Sequence, residues 1–543
     1  MTHLLKRNSG LMRFYTRNVT HQVWKKVVAQ DEDFVQNYMN ATQEWCSLNH
    51  ALYKKPDDLV ALVIIDETDI NTQMIDKLAE SGVDQVCFVV PQSRSVSGVT
   101  EQIAAIHQSG SVSFSTIDIT ALENATTPVF IPEGCWFTVL TIGESILPTS
   151  LDFILPNQPS SVAANIAAVY FDHSCSHSNL SNRLRLKPSF DKSALQTSDY
   201  IANAIWMSSL HFNITEAISS VINTGSVSKL LLDIESQVSS RPIIGFELSE
   251  QKNTNHLVAD VANASSEQTS KPLVSVIIPT RNQHEVLKAA VDSALKTHYK
   301  QLELIVVDNQ STEATTLEYL RWLEEQKLAT VLRYPHEFNY SAINNFAVER
   351  ASGELICFLN NDIEAITTDW LQKLVHYAKQ PEIGAVGAKL LYPNESIQHA
   401  GVVVGMNGVA DHVFKGIGAK TVTNINELNH SRRVTAVTAA CLVVKKQAFE
   451  LVGGFNEMHL AVAFNDVDLC LKLTQAGYQN IWVHDAILFH HESISRGFDG
   501  SNEKRLRFES EANYMRETWK LGNGYVDPHA NPNWCKAIDA MRQ

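Results

Sequence analysis

The 543-residue sequence lacks several features that mark other classes of protein. Its eight cysteines stand singly, without a CxxC pair, which indicates reduced thiols in a cytoplasmic protein. Long Lys/Arg runs are missing and the net charge is −15, so we expect no nucleic-acid partner. No apolar stretch approaches membrane-spanning length, and the basic N-terminus lacks a signal-peptide core. We therefore expect a cytoplasmic protein. Peripheral association with the inner face of a membrane is compatible with this expectation.

The length predicts two to four domains, and one shift in composition divides the chain. Residues 247–271 are rich in Ser, Asn, Glu, Gln and Thr, which indicates a linker. After it, apolar strands alternate with amphipathic helices, the pattern of an α/β fold with a mainly parallel sheet. The predicted strands are 274–278, 302–307, 330–333, 355–359 and 383–388, and the predicted helices are 285–297 and 368–379. Strand-like runs at 60–65, 86–90 and 137–141 indicate that the first half is also α/β.

The segment from Gly353 includes the apolar run 355–359, which stops abruptly on Asn360, Asn361 and Asp362. Ligands of open α/β sheets bind beyond the carboxyl ends of the strands, so an acid at this point can hold a metal ion. A turn that caps the next helix is the alternative reading of this segment on its own. The polar ends of other strands favour a binding site.

Two earlier strands end on polar residues in the same way. Their tips are Pro279, Thr280, Arg281 and Asn282 in the first, and Asp308 and Asn309 in the second. Asp308 is able to accept a hydrogen bond from a base N–H or a ribose hydroxyl, while Thr280 and Arg281 suit phosphate or base edges. Each tip alone fits a turn or a helix cap, but together they indicate a nucleotide site.

Two later segments supply a candidate general base and a candidate imidazole ligand for a metal. Leu469 and Leu473 lie one helical repeat apart, so Asn465 and Asp466 should open a helix. Asp466 is then either a first-turn acid favoured by the helix dipole or a general base at a cleft. Asp468 should be structural, paired with Lys or Arg.

A short apolar strand at 486–489 ends on His490 and His491. An imidazole at this point is able to join Asp362 at a divalent cation. Arg496, a few residues later, is either a cation near a diphosphate or a solvated loop residue.

In this order, these residues resemble the family 2 glycosyltransferases of GT-A fold, above all rhamnosyltransferase-like bacterial enzymes of O-antigen and surface-polysaccharide synthesis. The resemblance covers most of 271–500. The matching segments are 276–282 (the nucleotide-binding start), 307–311 (a VDNxS-like turn), 338–345 (the helix before the metal motif), 360–362 (the DxD position), 437–443 (TGACLLV-like), 452–457 (VGGFDE-like) and 465–466 (the acidic pair). Asn360, Ala439 and Asn465 depart from the family's Asp, Gly and Glu, which bears on metal affinity and on the acceptor loop.

The resemblance implies an inverting transfer from a UDP- or dTDP-linked sugar to a hydroxyl of a glycan or lipid-linked glycan. Asp466 inherits the role of catalytic base, and Asp362 with His490 or His491 would hold Mg or Mn. The residues expected to contact the donor are Pro279, Thr280, Arg281, Asn282, Asp308, Asn309, Asn345, Asn360, Asn361 and Arg496. Residues 272–500 are then the catalytic domain, and 501–543 a helical extension.

The first half carries a weaker likeness to the same family. Residues 169–172, 187–190 and 199–201 are similar to the YxDED…KPxW…NYI pattern of GT-A-like domains in multi-domain members. The segment 140–148, at the place of a metal motif, offers only Glu144. The likeness implies that 1–246 form a degenerate, non-catalytic transferase-like domain that helps with acceptor binding or assembly.

Three alternatives remain at this point. Both halves could be active, as in two-site polymerising transferases, or the chain could bind nucleotide-sugars as a scaffold without turnover. A nucleotidyltransferase ranks last, because its usual Gly-rich phosphate loop has no counterpart in 279–282, which contain no glycine.

Overall fold

A computed structural model gives the structure of the chain in two compact units. The N-terminal unit comprises the described parts of Glu32–Ser265 together with Asn531–Ala537, and the C-terminal unit those of Ser266–Ala530. The described residues are 32–65, 70–106, 112–118, 132, 134–141, 144–156, 166–177, 180–185, 187, 195, 201–224, 226–232, 234, 237–249, 271–418, 428–491, 502–521, 525–533 and 535–537.

The N-terminal unit is an α/β structure, as expected. Its helices are α1 (Glu32–Asn49), α2 (Thr72–Glu80), α3 (Val96–Ile106) and α4 (Ile214–Thr224). Its strands are β1 (Tyr53–Lys54), β2 (Leu59–Ile64), β3 (Gln85–Val90), β4 (Ser113–Asp118), β5 (Trp136–Thr141), β6 (Ser145–Ile146), β7 (Leu155–Pro156), β8 (Ala168–His177), β9 (Leu180–Arg185), β10 (Ile205–Ser208) and β11 (Val238–Ser249). Strand β11 therefore includes the first three residues of the predicted linker.

The C-terminal unit continues the numbering. Its helices are α5 (His284–Leu295), α6 (Ala314–Glu325), α7 (Tyr340–Val348), α8 (Trp370–Ala378), α9 (Lys446–Leu451), α10 (Asn465–Gln475) and α11 (Asn502–Trp519). Its strands are β12 (Val274–Thr280), β13 (Leu302–Asp308), β14 (Thr330–Arg333), β15 (Leu355–Leu359), β16 (Ile363–Ala365), β17 (Ile383–Leu391), β18 (Ile397–His399), β19 (Val403–Val404), β20 (Ala410–Asp411), β21 (Arg432–Arg433), β22 (Cys441–Lys445) and β23 (Gln479–His490). None of the described helices combines the length and apolar character needed to cross a bilayer.

The two units repeat one strand topology. The order in the N-terminal sheet is β4-β3-β2-β5-β10-β8-β11-β6, with β9 beside β8; in the C-terminal sheet it is β14-β13-β12-β15-β22-β17-β23-β16, with β18 beside β17. The directions repeat as well: the first four strands are parallel, the fifth runs against them, and β8–β11 and β17–β23 are parallel pairs. The likeness of the first half to the second is thus present in the backbone.

Buried apolar strands explain the C-terminal sheet. Every residue of β12, β15 and β17 is buried, as expected for central strands covered by helices on both faces. Alternate side chains, such as Val274, Val276 and Ile278, enter one core together with Leu287 and Val291 of α5. Continuous apolar runs therefore predicted these three strands, although β12 ends two residues after the predicted 278 and β17 ends three residues after the predicted 388.

Candidate active site

Polar residues at the ends of β12 and β13 meet at one edge of the C-terminal sheet, which we call the carboxyl edge. Thr280 lies opposite Asp308, and each is the last residue of its strand. The Asn309 N–H donates to the Thr280 carbonyl at 2.8 Å, and Asn361 Nδ2 donates to Thr280 Oγ1 at 3.3 Å. The edge thus joins polar tips from three different strands.

Asp308 and Asn309 organise the loops that follow. Asp308 is buried; one of its oxygens accepts from the Ser311 N–H at 3.0 Å, and the other lies 3.3 Å from Arg333 Nη1. Asn309 Nδ2 donates to the carbonyl oxygens of Tyr334 at 3.2 Å and of His336 at 2.8 Å. Asp308 and Asn309, both predicted to contact the donor, therefore also stabilise the loops that follow β13 and β14.

Arg281 and Asn282 follow β12 and have different surroundings. Asn282 has a positive φ of 57°, and its side-chain oxygen accepts from the N–H groups of Thr312 and Glu313 at 2.7 and 2.9 Å. Arg281 is exposed, and Pro279 is buried within the strand. Asn282 thus connects the turn after β12 to the turn after β13, while Arg281 is an exposed cation beside them.

Asp362 and His490 form the candidate metal centre. Asp362 directly precedes β16, whose Ile363 is paired with His490, the last residue of β23. His490 Nε2 lies 3.3 Å from Asp362 Oδ1, and the two residues are only 7% and 5% exposed. A carboxylate and an imidazole therefore converge on one buried point at the carboxyl edge.

This pair fits a divalent cation that a diphosphate helps to bind. Mg²⁺ commonly takes one or two protein ligands and fills its remaining positions with phosphate oxygens and water, and imidazole suits Mn²⁺ as well. The described residues contain no group of three or more His, Cys, Asp or Glu side chains that could hold a metal unaided. Asp362 and His490 would hold the ion, and the donor would complete its coordination.

His491 and Asn360 flank this pair. The side chain of His491 turns to another acid, with Nε2 3.0 Å from Glu364 Oε2, while its N–H donates to the Asp362 carbonyl at 2.9 Å. Of the two histidines, the structure therefore brings the His490 imidazole to Asp362. The Asn360 N–H donates to the Ala440 carbonyl at 2.9 Å, and its buried Oδ1 accepts no hydrogen bond from the described residues.

Asp466 lies in the first turn of α10, as predicted. Phe464, the residue before the helix, has a φ of 60°, which turns the chain sharply into the helix. Asp466 Oδ2 accepts from the Ala439 N–H at 3.0 Å, and Oδ1 accepts from the Val467 N–H at 2.9 Å. Because Ala440 adjoins Ala439 and also pairs with Asn360, the same short segment contacts both the candidate base and the metal-side loop. Two backbone donors fix the orientation of this partly exposed carboxylate.

Asp468 is structural, as predicted. Its Oδ2 lies 2.9 Å from Lys472 Nζ, and its Oδ1 accepts from Trp519 Nε1 at 3.0 Å. Glu511 on α11 supports the loop before α10 by accepting from the N–H groups of Val462 at 2.9 Å and Ala463 at 3.1 Å. The last long helix thus helps to hold the start of the helix that carries Asp466.

Asn345 has a different setting from the other predicted donor residues. Its Nδ2 donates to the Phe455 carbonyl at 2.9 Å and to Glu457 Oε2 at 3.1 Å, and its Oδ1 accepts from the Phe455 N–H at 3.0 Å. A Cβ at Gly454, whose φ is +64°, would come within 2.8 Å of that oxygen. Asn345 therefore holds the 453–457 turn. Arg496 lies outside the described residues.

Two histidines escaped the sequence prediction. His399 is fully buried at the end of β18, and its Nδ1 lies 2.9 Å from Nδ1 of His412. Its Nε2 accepts from the Thr438 N–H at 3.4 Å. Burial, followed by the nearby His412, Arg432 and His490, lowers the pKa of His399 well below its ordinary value. In the sequence, Gln398 and His399 merely precede the apolar segment 400–404, which an ordinary core histidine would also do.

Known proteins resemble the region that contains this edge. The family model for glycosyl transferase family 2 matches residues 275–411. An uncharacterized protein, y4gI, of Sinorhizobium fredii is 49% identical over 264 residues, 48% of this chain and 29% of the relative. The O-antigen biosynthesis protein RfbC of Myxococcus xanthus is 40% identical over 260 residues, 48% of this chain and 20% of the relative.

A third relative is the N-acetylglucosaminyl-diphospho-decaprenol L-rhamnosyltransferase of Mycobacterium tuberculosis. It is 30% identical over 140 residues, 24% of this chain and 45% of the relative. The chain thus spans less than half the length of each of these three proteins. Together with the observed strand order, the family match confirms the GT-A α/β fold expected for the C-terminal unit. Over residues 275–411 the chain carries a glycosyl transferase family 2 domain.

Proposed function

We propose that the C-terminal unit is an inverting glycosyltransferase that moves a sugar from a nucleotide-sugar to a hydroxyl of a glycan or lipid-linked glycan during surface-polysaccharide synthesis. The observation that carries the proposal is that Asp362, inside the family 2 match, lies beside His490, and that the 438–440 segment contacts both Asp466 and the Asn360 backbone at the carboxyl edge. The names of the relatives from Myxococcus and Mycobacterium support the pathway and the acceptor class. UDP- and dTDP-linked donors are the proposed substrates.

The chemistry follows from the positions of the side chains. Asp466 takes the proton from the acceptor hydroxyl as that oxygen attacks the anomeric carbon, and the bond from this carbon to the diphosphate oxygen breaks. Attack from the face opposite the leaving group inverts the anomeric centre. Arg281 offers positive charge to the donor phosphates. A cation bound by Asp362 and His490 would stabilise negative charge on the departing diphosphate.

A panel of nucleotide-sugars tests this proposal. With Mn²⁺ present, we expect at least one UDP- or dTDP-sugar to raise the melting temperature of the chain and to be hydrolysed slowly without acceptor. Saturation at 100 times Kd should add about 2.7 kcal/mol to the stability of the binding unit. Failure of every donor to bind would count against the glycosyltransferase assignment itself.

We also propose that the N-terminal unit does not catalyse transfer, although its strands repeat the catalytic topology. Glu144 directly precedes β6 just as Asp362 precedes β16, but Glu144 is buried and accepts from the Thr141 N–H at 2.8 Å within its own turn. Strands β5 and β8 run in the same direction on either side of β10, so Asp172 lies towards the carboxyl end of β5. This region corresponds to the catalytic edge of the other unit.

Protein groups surround Asp172 in that region. Its Oδ2 accepts from Tyr38 Oη at 2.5 Å and from Asn531 Nδ2 at 2.9 Å, and its Oδ1 accepts from the Lys187 N–H at 2.6 Å. The carboxyl group is fully buried. Because protein groups surround this buried carboxylate, a nucleotide-sugar or a metal ion has no access to it. This supports a role of the N-terminal unit in acceptor binding or assembly.

Asp172 should make the stability of the N-terminal unit dependent on pH. Burial raises the pKa of Asp172 to about 7, against the hydrogen bonds that lower it, whereas an unfolded Asp titrates near 4. Between roughly pH 4 and 7 the folded state holds a proton that the unfolded state has released, so stability falls as the pH rises through this window. We expect Asp172→Asn to remove this component, on the order of a few kcal/mol.

The measurement is chemical denaturation of the full chain at pH 5 and pH 8. The difference between the two unfolding free energies should shrink in Asp172→Asn. Asp76→Asn, at an exposed position of α2, is the matched control and should behave like the wild type. An unchanged pH slope in Asp172→Asn would show that this carboxyl group is ionised in the folded state throughout the range.

A further inference from the structure

Two histidines, the fully buried His399 and the partly buried His412, lie next to the segment that orients Asp466. His399 ends β18, and His412 follows β20. Their Nδ1 atoms are 2.9 Å apart, and their rings meet edge to face with centroids 4.9 Å apart. Neither residue belongs to the set that forms the carboxyl edge, yet His399 contacts the backbone of Thr438, the neighbour of Ala439.

The hydrogen bonds define where the protons of this pair lie. A backbone N–H only donates, so His399 Nε2 must accept from Thr438 and carry no proton. A neutral His399 then has its proton on Nδ1 and donates it to His412 Nδ1. His412 in turn carries its own proton on Nε2. The arrangement therefore requires two neutral imidazoles in complementary tautomers.

The segment that contacts His399 also contacts the candidate base. The next N–H along the chain, that of Ala439, donates to Asp466 Oδ2 at 3.0 Å. The Ala439 carbonyl accepts from Tyr340 Oη at 3.0 Å, and the Ala440 N–H donates to Thr438 Oγ1 at 3.4 Å. Hydrogen bonds thus hold each of residues 438–440. The bond from the Thr438 N–H to His399 is at the N-terminal end of this segment.

We propose that His399, kept in one tautomer by His412, is a positioning residue for the general base. It holds the Thr438 N–H, and this fixes the Thr438–Ala439 peptide that orients the Asp466 carboxylate. The inference rests on the proposed transferase function, in which Asp466 deprotonates the acceptor. His399 acts through the backbone and has no contact with the reacting atoms, so its removal should affect kcat more than donor binding.

Two amide substitutions of His399 separate this role from simple core packing. In His399→Gln the amide group reaches the position of Nε2 and can still accept from Thr438. In His399→Asn the shorter amide group reaches only the position of Nδ1, so the Thr438 N–H loses its acceptor. We expect His399→Asn to lower kcat by about 10- to 100-fold and His399→Gln by less than about threefold, with the donor Kd unchanged in both.

Hydrogen exchange provides a readout that does not depend on turnover. Exchange at the Thr438 amide should accelerate in His399→Asn and stay close to the wild-type rate in His399→Gln. His376→Asn, at an exposed histidine of α8, is the matched control and should change neither kcat nor this exchange rate.

The outcomes are distinct. Equal kcat values and equal Thr438 exchange in the two His399 variants would overturn the proposal, and so would equal losses of activity with exchange unchanged. If the wild type transfers no sugar to any acceptor, the proposed function fails. In that case the exchange comparison still decides whether His399 holds Thr438.

Discussion

Replacing Asp466 with asparagine should lower kcat by about 10²–10⁴-fold, the usual contribution of a positioned general base. Asparagine keeps the size of the side chain and one oxygen that can accept from the Ala439 or Val467 N–H. It is unable to take the acceptor proton. Donor binding should persist, because the proposed donor contacts lie on β12, β13 and the Asp362 loop. Sugar transfer under saturating donor and a separate donor Kd by calorimetry measure the two effects.

The control for Asp466 is an acid of the same unit outside the edge. Glu450→Gln, at an exposed position of α9, should leave both kcat and Kd unchanged. A scaffold protein that only binds nucleotide-sugars predicts a different result, in which Asp466→Asn has no effect on the cellular glycan. Loss of donor binding in step with loss of transfer would also contradict the role of base, because it would place Asp466 in the donor site.

The central strands of the C-terminal unit could be predicted because the signal is local. Central parallel strands are buried on both faces, so they appear in the sequence as continuous apolar runs that end at a polar tip. Strand β23 was predicted only in part: the prediction covered 486–489, but the strand begins at Gln479. Its earlier part includes Asn480, a polar residue that is buried because its Nδ2 donates to the carbonyls of Thr435 and Cys470.

The outline of the candidate site also follows from strand ends. Parallel strands finish at a common edge, so Thr280, Asp308 and Asp362 had to lie near one another once the sheet was predicted. The position of a strand end does not predict the role of Asn345, which lies within a helix. An amide suits a donor hydroxyl and a loop carbonyl equally well, and only the folded 453–457 turn decides between them.

The histidine pair could not be found in this way because its contacts are long-range. His399 and Thr438 are 39 residues apart, and Tyr340 and Ala439 are 99 apart. Neither contact produces a periodic pattern. The active-site segment is therefore held by residues that look like ordinary core residues in the sequence, and their role appears only when the tautomers are worked out from the hydrogen bonds.

Replacing Asp362 with alanine should abolish the effect of metal on donor binding and lower kcat/KM by at least about 10²-fold. The change removes the buried carboxylate whose Oδ1 lies 3.3 Å from His490 Nε2. Donor Kd measured with Mn²⁺ and with EDTA should differ for the wild type and coincide for the variant. The adjacent histidines offer an internal comparison: His490→Ala should weaken the metal effect, whereas His491→Ala, whose imidazole pairs with Glu364, should retain it. A metal effect that survives Asp362→Ala would place the cation elsewhere.

The same Asp362→Ala variant distinguishes one active unit from two. If only the C-terminal unit transfers sugar, the variant should form no linkage of any kind from a complete set of donors. A two-site polymerising enzyme would lose one linkage and keep the other, because its second site would lie on the repeated sheet of the N-terminal unit. The buried hydrogen bonds of Glu144 and Asp172 lead us to expect complete loss. Product analysis by linkage-specific mass spectrometry decides between the two results, and a surviving linkage would assign activity to the N-terminal unit.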